Sequence, residues 1–199
     1  MTIVNGYATL EDLKALLRIP ASDTVDDAQL SRAIEAASRR IDGACDRIFY
    51  QEPTTSARVY DATNLSSVSI DDVSTITGFS VRVDDGFDYN TIIVNNVDFR
   101  IEPLNNLAKG LPFYRLVSLS GIFPRSTVRP GVQVTARWGW PAVPNPIRDA
   151  TLLMAGRLFK RGDSLLGVAG FSDMGVITVR GVDPDVDHLI QPFRRMAVG

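Results

Sequence analysis

The sequence predicts an α+β protein, a small helical bundle from the N- and C-terminal segments with an antiparallel β-sheet or small barrel inserted between them. Two changes of hydrophobic period carry that prediction. Up to residue 52 and again from residue 141, apolar residues recur at steps of three and four, the spacing of one helix face. Between 53 and 140 the pattern turns to short, alternating, β-branched runs broken by Gly, Asn, Asp and Pro. The expected division is therefore 1–52 with 141–199 as the helical core, and 53–140 as an inserted β domain.

The first helix is read from ATLEDLKALLRIP. Thr9 is placed to cap, Asp12 lies three residues on, Leu10, Leu13 and Leu17 share a face, and Pro20 stops the run. A second helix of about six turns follows, because Leu30, Ile34, Ala37, Ile41, Ala44 and Ile48 draw one stripe. Asp26 and Asp27 stand in its first turn, where the helix dipole favours carboxylates.

The β grammar consists of ARVYDA, SVSI, TGFSVRVD, TIIV, DFRIEP, YRLVSLSG and VQVTARW, with Asp85-Gly86 as a hairpin turn and LNNLAKGLPF as a longer loop. Trp138 and Trp140 flank Gly139 where the last strand leaves the sheet, a pattern expected of packing more than of a ligand platform. Helix grammar resumes with Asn145 as cap, Pro146 in the first turn, and Ile147, Ala150, Met154 and Leu158 on one face. Then come the glycine-rich GDSLLGVAGFSDMG, VITVR as a lone strand or extended arm, and a last helix starting at Pro184 behind Asp183.

Composition narrows the functional classes. The chain of 199 residues carries a formal net charge of -2, with 45% hydrophobic and 22% charged residues, so it has no global basic signature for nucleic acid. A single cysteine, Cys45, excludes an intramolecular disulfide and a cysteine-rich zinc site. The N-terminal residues lack the pattern of a cleaved signal, and no apolar run approaches the ~18 residues of a membrane span. No membrane partner and no cofactor are expected.

Two motifs tempt towards chemistry. GDSL with a later D-x-x-H is similar to the motif pair of the GDSL lipases and esterases, and would make Ser164 nucleophile, His188 base and Asp185 orienting acid. A nucleophile, a base and an oxyanion site must converge. In that family the serine follows a strand near the N-terminus and the second motif lies far downstream. Here GDSL follows a helix, the motifs are about twenty residues apart, and no asparagine lies between them. Asp183, Asp185, Asp187 and His188 offer metal-ligand chemistry, but neighbours on a helix do not share a face, and an acidic helix start accounts for them. No catalytic and no metal residue is expected. DDVSTITGFSVRVDDGFDYN fails the calcium-loop spacing, and no phosphate-binding glycine loop is present.

Three segments together carry a resemblance. YATLEDLKALL with LSRAIEAASRRIDGACDRIF, then RWGWPAVPNPIRDATLLMAGRLFKR, then GVAGFSDMGVITVRGVDPDVDHLIQPFRR occur in an order that resembles the head-tail connector, or head-to-tail adaptor, proteins of long-tailed bacteriophages. The resemblance implies a structural virion protein at the head-tail interface, assembled in the host cytoplasm. Its implied partners are the portal protein, further copies in a ring, typically dodecameric, and the next connector (stopper) or tail protein. Double-stranded DNA would pass transiently through the channel that the ring extends. It also implies a C-terminal arm that docks on the portal, with Leu189, Ile190, Pro192, Phe193, Arg194 and Arg195 as the docking candidates. Gly167, Val168, Ala169, Gly170, Phe171 and Gly175 are the candidates for a loop that orders on assembly. The alternatives are the serine hydrolase above, or a binding module whose β domain recognises a carbohydrate or protein.

Overall fold

The structure is a computed structural model, and it describes residues 3–62, 64–84, 89–124, 131–163 and 184–195. The chain forms two compact units, one of Met1–Arg47 with Val143–Gly199 and one of Ile48–Ala142. The architecture is α+β, with four helices and an open antiparallel sheet among the described residues.

In the helical unit, α1 spans Leu10–Leu17, and the Thr9 hydroxyl accepts the Asp12 N–H at 3.1 Å. Arg18 turns into the left-handed region and ends the helix, its N–H donating to Ala15 O and Lys14 O. Helix α2 spans Asp27–Cys45. Its stripe of Leu30, Ile34, Ala37 and Ile41 is buried as the spacing requires. The last turn departs from expectation: Cys45, not Ala44, is buried, and Asp46 adopts a left-handed conformation that stops the helix before Ile48. A periodic apolar pattern cannot signal a backbone reversal at an aspartate.

Helix α3 spans Asn145–Asp163 and starts one residue earlier than the Asn-Pro signal suggests, the Arg148 N–H donating to the Pro144 carbonyl at 3.0 Å. Ile147, Ala150 and Ala155 are buried, while Met154 and Leu158 pack at the edge. Ala33, Ala37 and Ala155 join Leu13, Leu30 and Ile34 in one core, and such small residues let helices approach closely. Each buried leucine or isoleucine there contributes about 1.5–3 kcal/mol. Helix α4, Pro184–Ile190, begins where the sequence indicates and runs into a 3-10 turn, Gln191–Phe193.

In the β unit the strands are β1 Ser56–Tyr60, β2 Ser67–Val83, β3 Thr91–Ile93, β4 Phe99–Glu102, β5 Phe113–Ser118 and β6 Val132–Trp138. Their order is β1-β6-β2-β5-β4, with β3 also on β2, and all pairs are antiparallel. Runs expected as two strands, SVSI and TGFSVRVD, are one strand of 17 residues. Its register shifts between Ser69 and Val73 and again up to Ser80, so irregularities replace the expected break. Val68, Val81, Leu116, Val134 and Trp138 lie in one core that the sheet wraps. The expected turn at Asp85-Gly86 and the expected strand VITVR lie outside the described residues.

The β unit's first and last residues meet. The Glu52 N–H donates to the Trp138 carbonyl at 2.9 Å, and the rings of Phe49 and Trp140 lie 5.2 Å apart. Gly139 has φ +97, and a Cβ there would stand 1.8 Å from the Tyr50 carbonyl oxygen. Glycine is thus required twice, for its φ and for its missing side chain. Both tryptophans are buried: the Trp138 indole N–H donates to Ser56 O and that of Trp140 to Asp72 Oδ2, each at 2.9 Å.

Candidate docking surface

The C-terminal candidates fold back on their own unit. Val186 and Ile190 are one helical turn apart on α4, and both are buried. The Arg195 N–H donates to the Cys45 carbonyl at 2.9 Å, which satisfies a carbonyl at the end of α2. The Cys45 thiol faces the Ile190 carbonyl at 3.9 Å. Pro192 and Arg194 are exposed, Leu189, Phe193 and Arg195 are half-buried, and Arg194 pairs with Asp187 at 2.5 Å. The segment is therefore an anchored ledge. Ile190 serves the unit's own interior, while Pro192 and Arg194 lie exposed beside it.

Of the hydrolase residues, Asp185 and His188 stand exposed on α4, while Ser164 lies outside the described residues. Asp183 and the loop candidates Gly167, Val168, Ala169, Gly170, Phe171 and Gly175 also lie outside them. Among the described residues, no group of three or more His, Cys, Asp or Glu is arranged to hold a metal ion. No helix among them is long and apolar enough to cross a membrane.

Sequence reasoning missed three polar clusters because their members are distant in the chain. The Tyr7 hydroxyl donates to Asp42 Oδ1, Arg39 Nε meets Asp42 Oδ2 at 2.9 Å, and the Arg39 guanidinium lies 5.4 Å from the Tyr7 ring. Burial raises the Asp42 carboxyl above the usual range, against the lowering pull of Tyr7 and Arg39. Lys14, buried, pairs with Asp27 and donates to the Asp23 carbonyl at 2.7 Å, which ties α1 to the start of α2. In the β unit Arg58 bridges Asp71 and Glu52, each at 2.7 Å, and lies 4.5 Å over the Trp138 ring. The Tyr60 hydroxyl joins Asp71 at 3.0 Å, and burial, with the Asp71 charge next, pushes that phenol up. These clusters hold strands and helices in place; none converges on a nucleophile.

Residues 7–77 match the family model of the Phage gp6-like head-tail connector protein, a span covering α1, α2, β1 and most of β2. No curated protein matches the chain. Among solved structures, a chain from the neck of an empty gene transfer agent (GTA) particle computed with C6 symmetry aligns over 100% of this chain and 96% of its own, with a TM-score of 0.61 at 18% identity. A chain from the virion of a native gene transfer agent particle aligns over the same shares with a TM-score of 0.58, also at 18% identity. At that identity the likeness is one of fold, and it includes the β unit. Over residues 7–77, then, the chain is similar to the Phage gp6-like head-tail connector proteins.

Proposed function

We propose that the protein is a non-enzymatic structural subunit of a virion, a head-to-tail adaptor that forms a ring below the portal. The ring, dodecameric by the family's habit, extends the DNA channel and offers the attachment surface for the next connector or the tail. Its subunits assemble in the host cytoplasm and act at the head-tail interface. The observation that carries this reading is the connector-family match over residues 7–77. A fold shared over the full chain with a neck subunit supports it. Residues 1–52 with 141–199 are the connector core in this reading, and 53–140 the inserted domain.

The ledge formed by Leu189, Pro192, Phe193, Arg194 and Arg195 is the portal contact in this reading, with Ile190 as its internal anchor. Exposed proline and arginine beside half-buried leucine and phenylalanine give an apolar centre with a polar rim. Electron microscopy of the protein mixed with portal is expected to show rings on the portal's narrow end. Cutting away residues 183–199 would also uncover the core around Val186 and Ile190, so Arg194→Glu is the cleaner variant. It is expected to leave the circular dichroism spectrum unchanged and to abolish attachment. Normal joining of heads to tails by this variant would sink the docking assignment. Turnover of short-chain esters that disappears in Ser164→Ala would overturn the non-enzymatic reading.

A further inference from the structure

Residues before α1 lie along α2 as a strap, clamped by side chains of one helix face, Glu35, Ser38, Arg39 and Asp42. The Val4 N–H donates to Glu35 Oε1 at 2.8 Å, and Arg39 Nη2 donates to the Asn5 carbonyl at 2.9 Å. The Tyr7 N–H donates to Ser38 Oγ at 3.0 Å, and the Tyr7 hydroxyl donates to Asp42. Between these clamps sits Asn5-Gly6, the one Asn-Gly pair in the chain; every other asparagine precedes a residue with a side chain. Packing dictates the glycine, because a Cβ there would stand 2.4 Å from Ile3 Cγ2 and 3.1 Å from Ile34 Cγ2. Asn5 is exposed, with φ 54 in the left-handed region that asparagine tolerates. Among the described residues nothing pairs with its carboxamide or accepts the Gly6 N–H.

We propose that Asn5 is a self-modification site, converted to isoaspartate with Arg39 as the activating side chain. The Gly6 nitrogen attacks Asn5 Cγ; an N–Cγ bond forms, the bond from Cγ to Nδ2 breaks, and ammonia leaves carrying the Gly6 N–H proton. The product is a cyclic imide, which one water opens. Glycine leaves the nitrogen open to approach and the backbone free to turn. The attacking species is the deprotonated amide, whose negative charge spreads onto the carbonyl oxygen of the same peptide group. Arg39 holds that oxygen, so its guanidinium stabilises the attacking anion. The Arg39 side chain is 45% exposed and can follow the turn about the Asn5 Cα–C bond that ring closure requires. The same contact polarises the imide carbonyl whose hydrolysis gives isoaspartate instead of aspartate. Isoaspartate routes the main chain through Cβ and Cγ and leaves a carboxylate where the Asn5 carbonyl stood. The strap is then longer between Val4 and Tyr7, so its clamps to Glu35 and Ser38 fall out of register, and the new charge competes with Asp42 for Arg39. The modification thus times the release of the strap from α2. It stands whether or not the protein is a connector.

The test ages the full chain in warm neutral buffer and follows its asparagines by peptide mapping, mass spectrometry and isoaspartyl methyltransferase labelling. Isoaspartate is expected to accumulate at Asn5 ahead of every other asparagine. Arg39→Gln should slow its formation about tenfold, the effect of about one pKa unit in the attacking amide. Arg39→Lys should keep most of the rate. Glu35→Ala loosens the strap but leaves Arg39 in place, and should not slow the reaction. In denaturant the parent and Arg39→Gln should convert at equal rates, which assigns the difference to the folded contact. A native parent that stays unmodified while the denatured chain converts overturns the proposal, as does a native Arg39→Gln rate equal to the parent's. Strap release is read by amide hydrogen exchange: the Tyr7 N–H should exchange faster in aged than in fresh protein, and unchanged exchange overturns the release step. None of these outcomes bears on the joining of heads to tails.

Discussion

Cys45, 1% exposed at the end of α2, shows what a buried position does to a lone thiol. Burial pushes it up to about 11 from an ordinary 9.0. Because the folded value is the higher one, the native state keeps its proton where the unfolded chain has lost it. The thiol's contribution to stability is therefore complete below pH 9 and is lost as pH rises from about 9 to about 11. Thermal melts across that window should show a smaller alkaline loss for Cys45→Ala than for the parent. At neutral pH the native thiol should react with a disulfide reagent far more slowly than in denaturant, and fast native labelling would refute its seating under Ile190. A second single-residue expectation concerns Gly139→Ala. A Cβ 1.8 Å from a carbonyl oxygen cannot be absorbed by a side-chain shift. The variant should lose soluble, cooperatively melting protein, and near-parental stability would show that the crossing at Tyr50 is wrong.

The elements divide into those governed by neighbours in sequence and those governed by distant ones. Helix α1 is of the first kind: Thr9 caps it, and Leu13 faces the core. Thr9→Ala should cost about 1 kcal/mol in denaturant midpoint analysis, because only the cap bond to Asp12 is lost. This local logic is why the helices and most strands were legible in the sequence. It failed where the deciding interaction was remote. Ala44 and Ile48 continue the stripe of α2 on paper, but the backbone reverses at Asp46. Asp71 and Asp72 look like a strand break, yet the chain runs through them because Arg58 and Tyr60 hold one carboxylate and the Trp140 indole holds the other. No short window contains both partners. The C-terminal candidates were legible as a mixed apolar and basic segment, whereas the burial of Ile190 depended on α2.

At the scale of the whole molecule, one compact unit is interrupted by another whose ends lie side by side. The isolated segment 48–142 is expected to fold by itself, with its own cooperative melt and a β-type circular dichroism spectrum. A segment cut at Pro53 should be weaker, because it loses the Glu52 bond to Trp138 and the Gln51 bond to Ser74. Failure of the longer segment to fold would mean that the β core is not self-sufficient. The clip between Glu52 and Trp138 also has a mechanical meaning. A load that enters the β unit at Ile48 and leaves it at Ala142 crosses this clip, so the strands behind it carry no tension while it holds. The sheet would keep its shape until the clip tears.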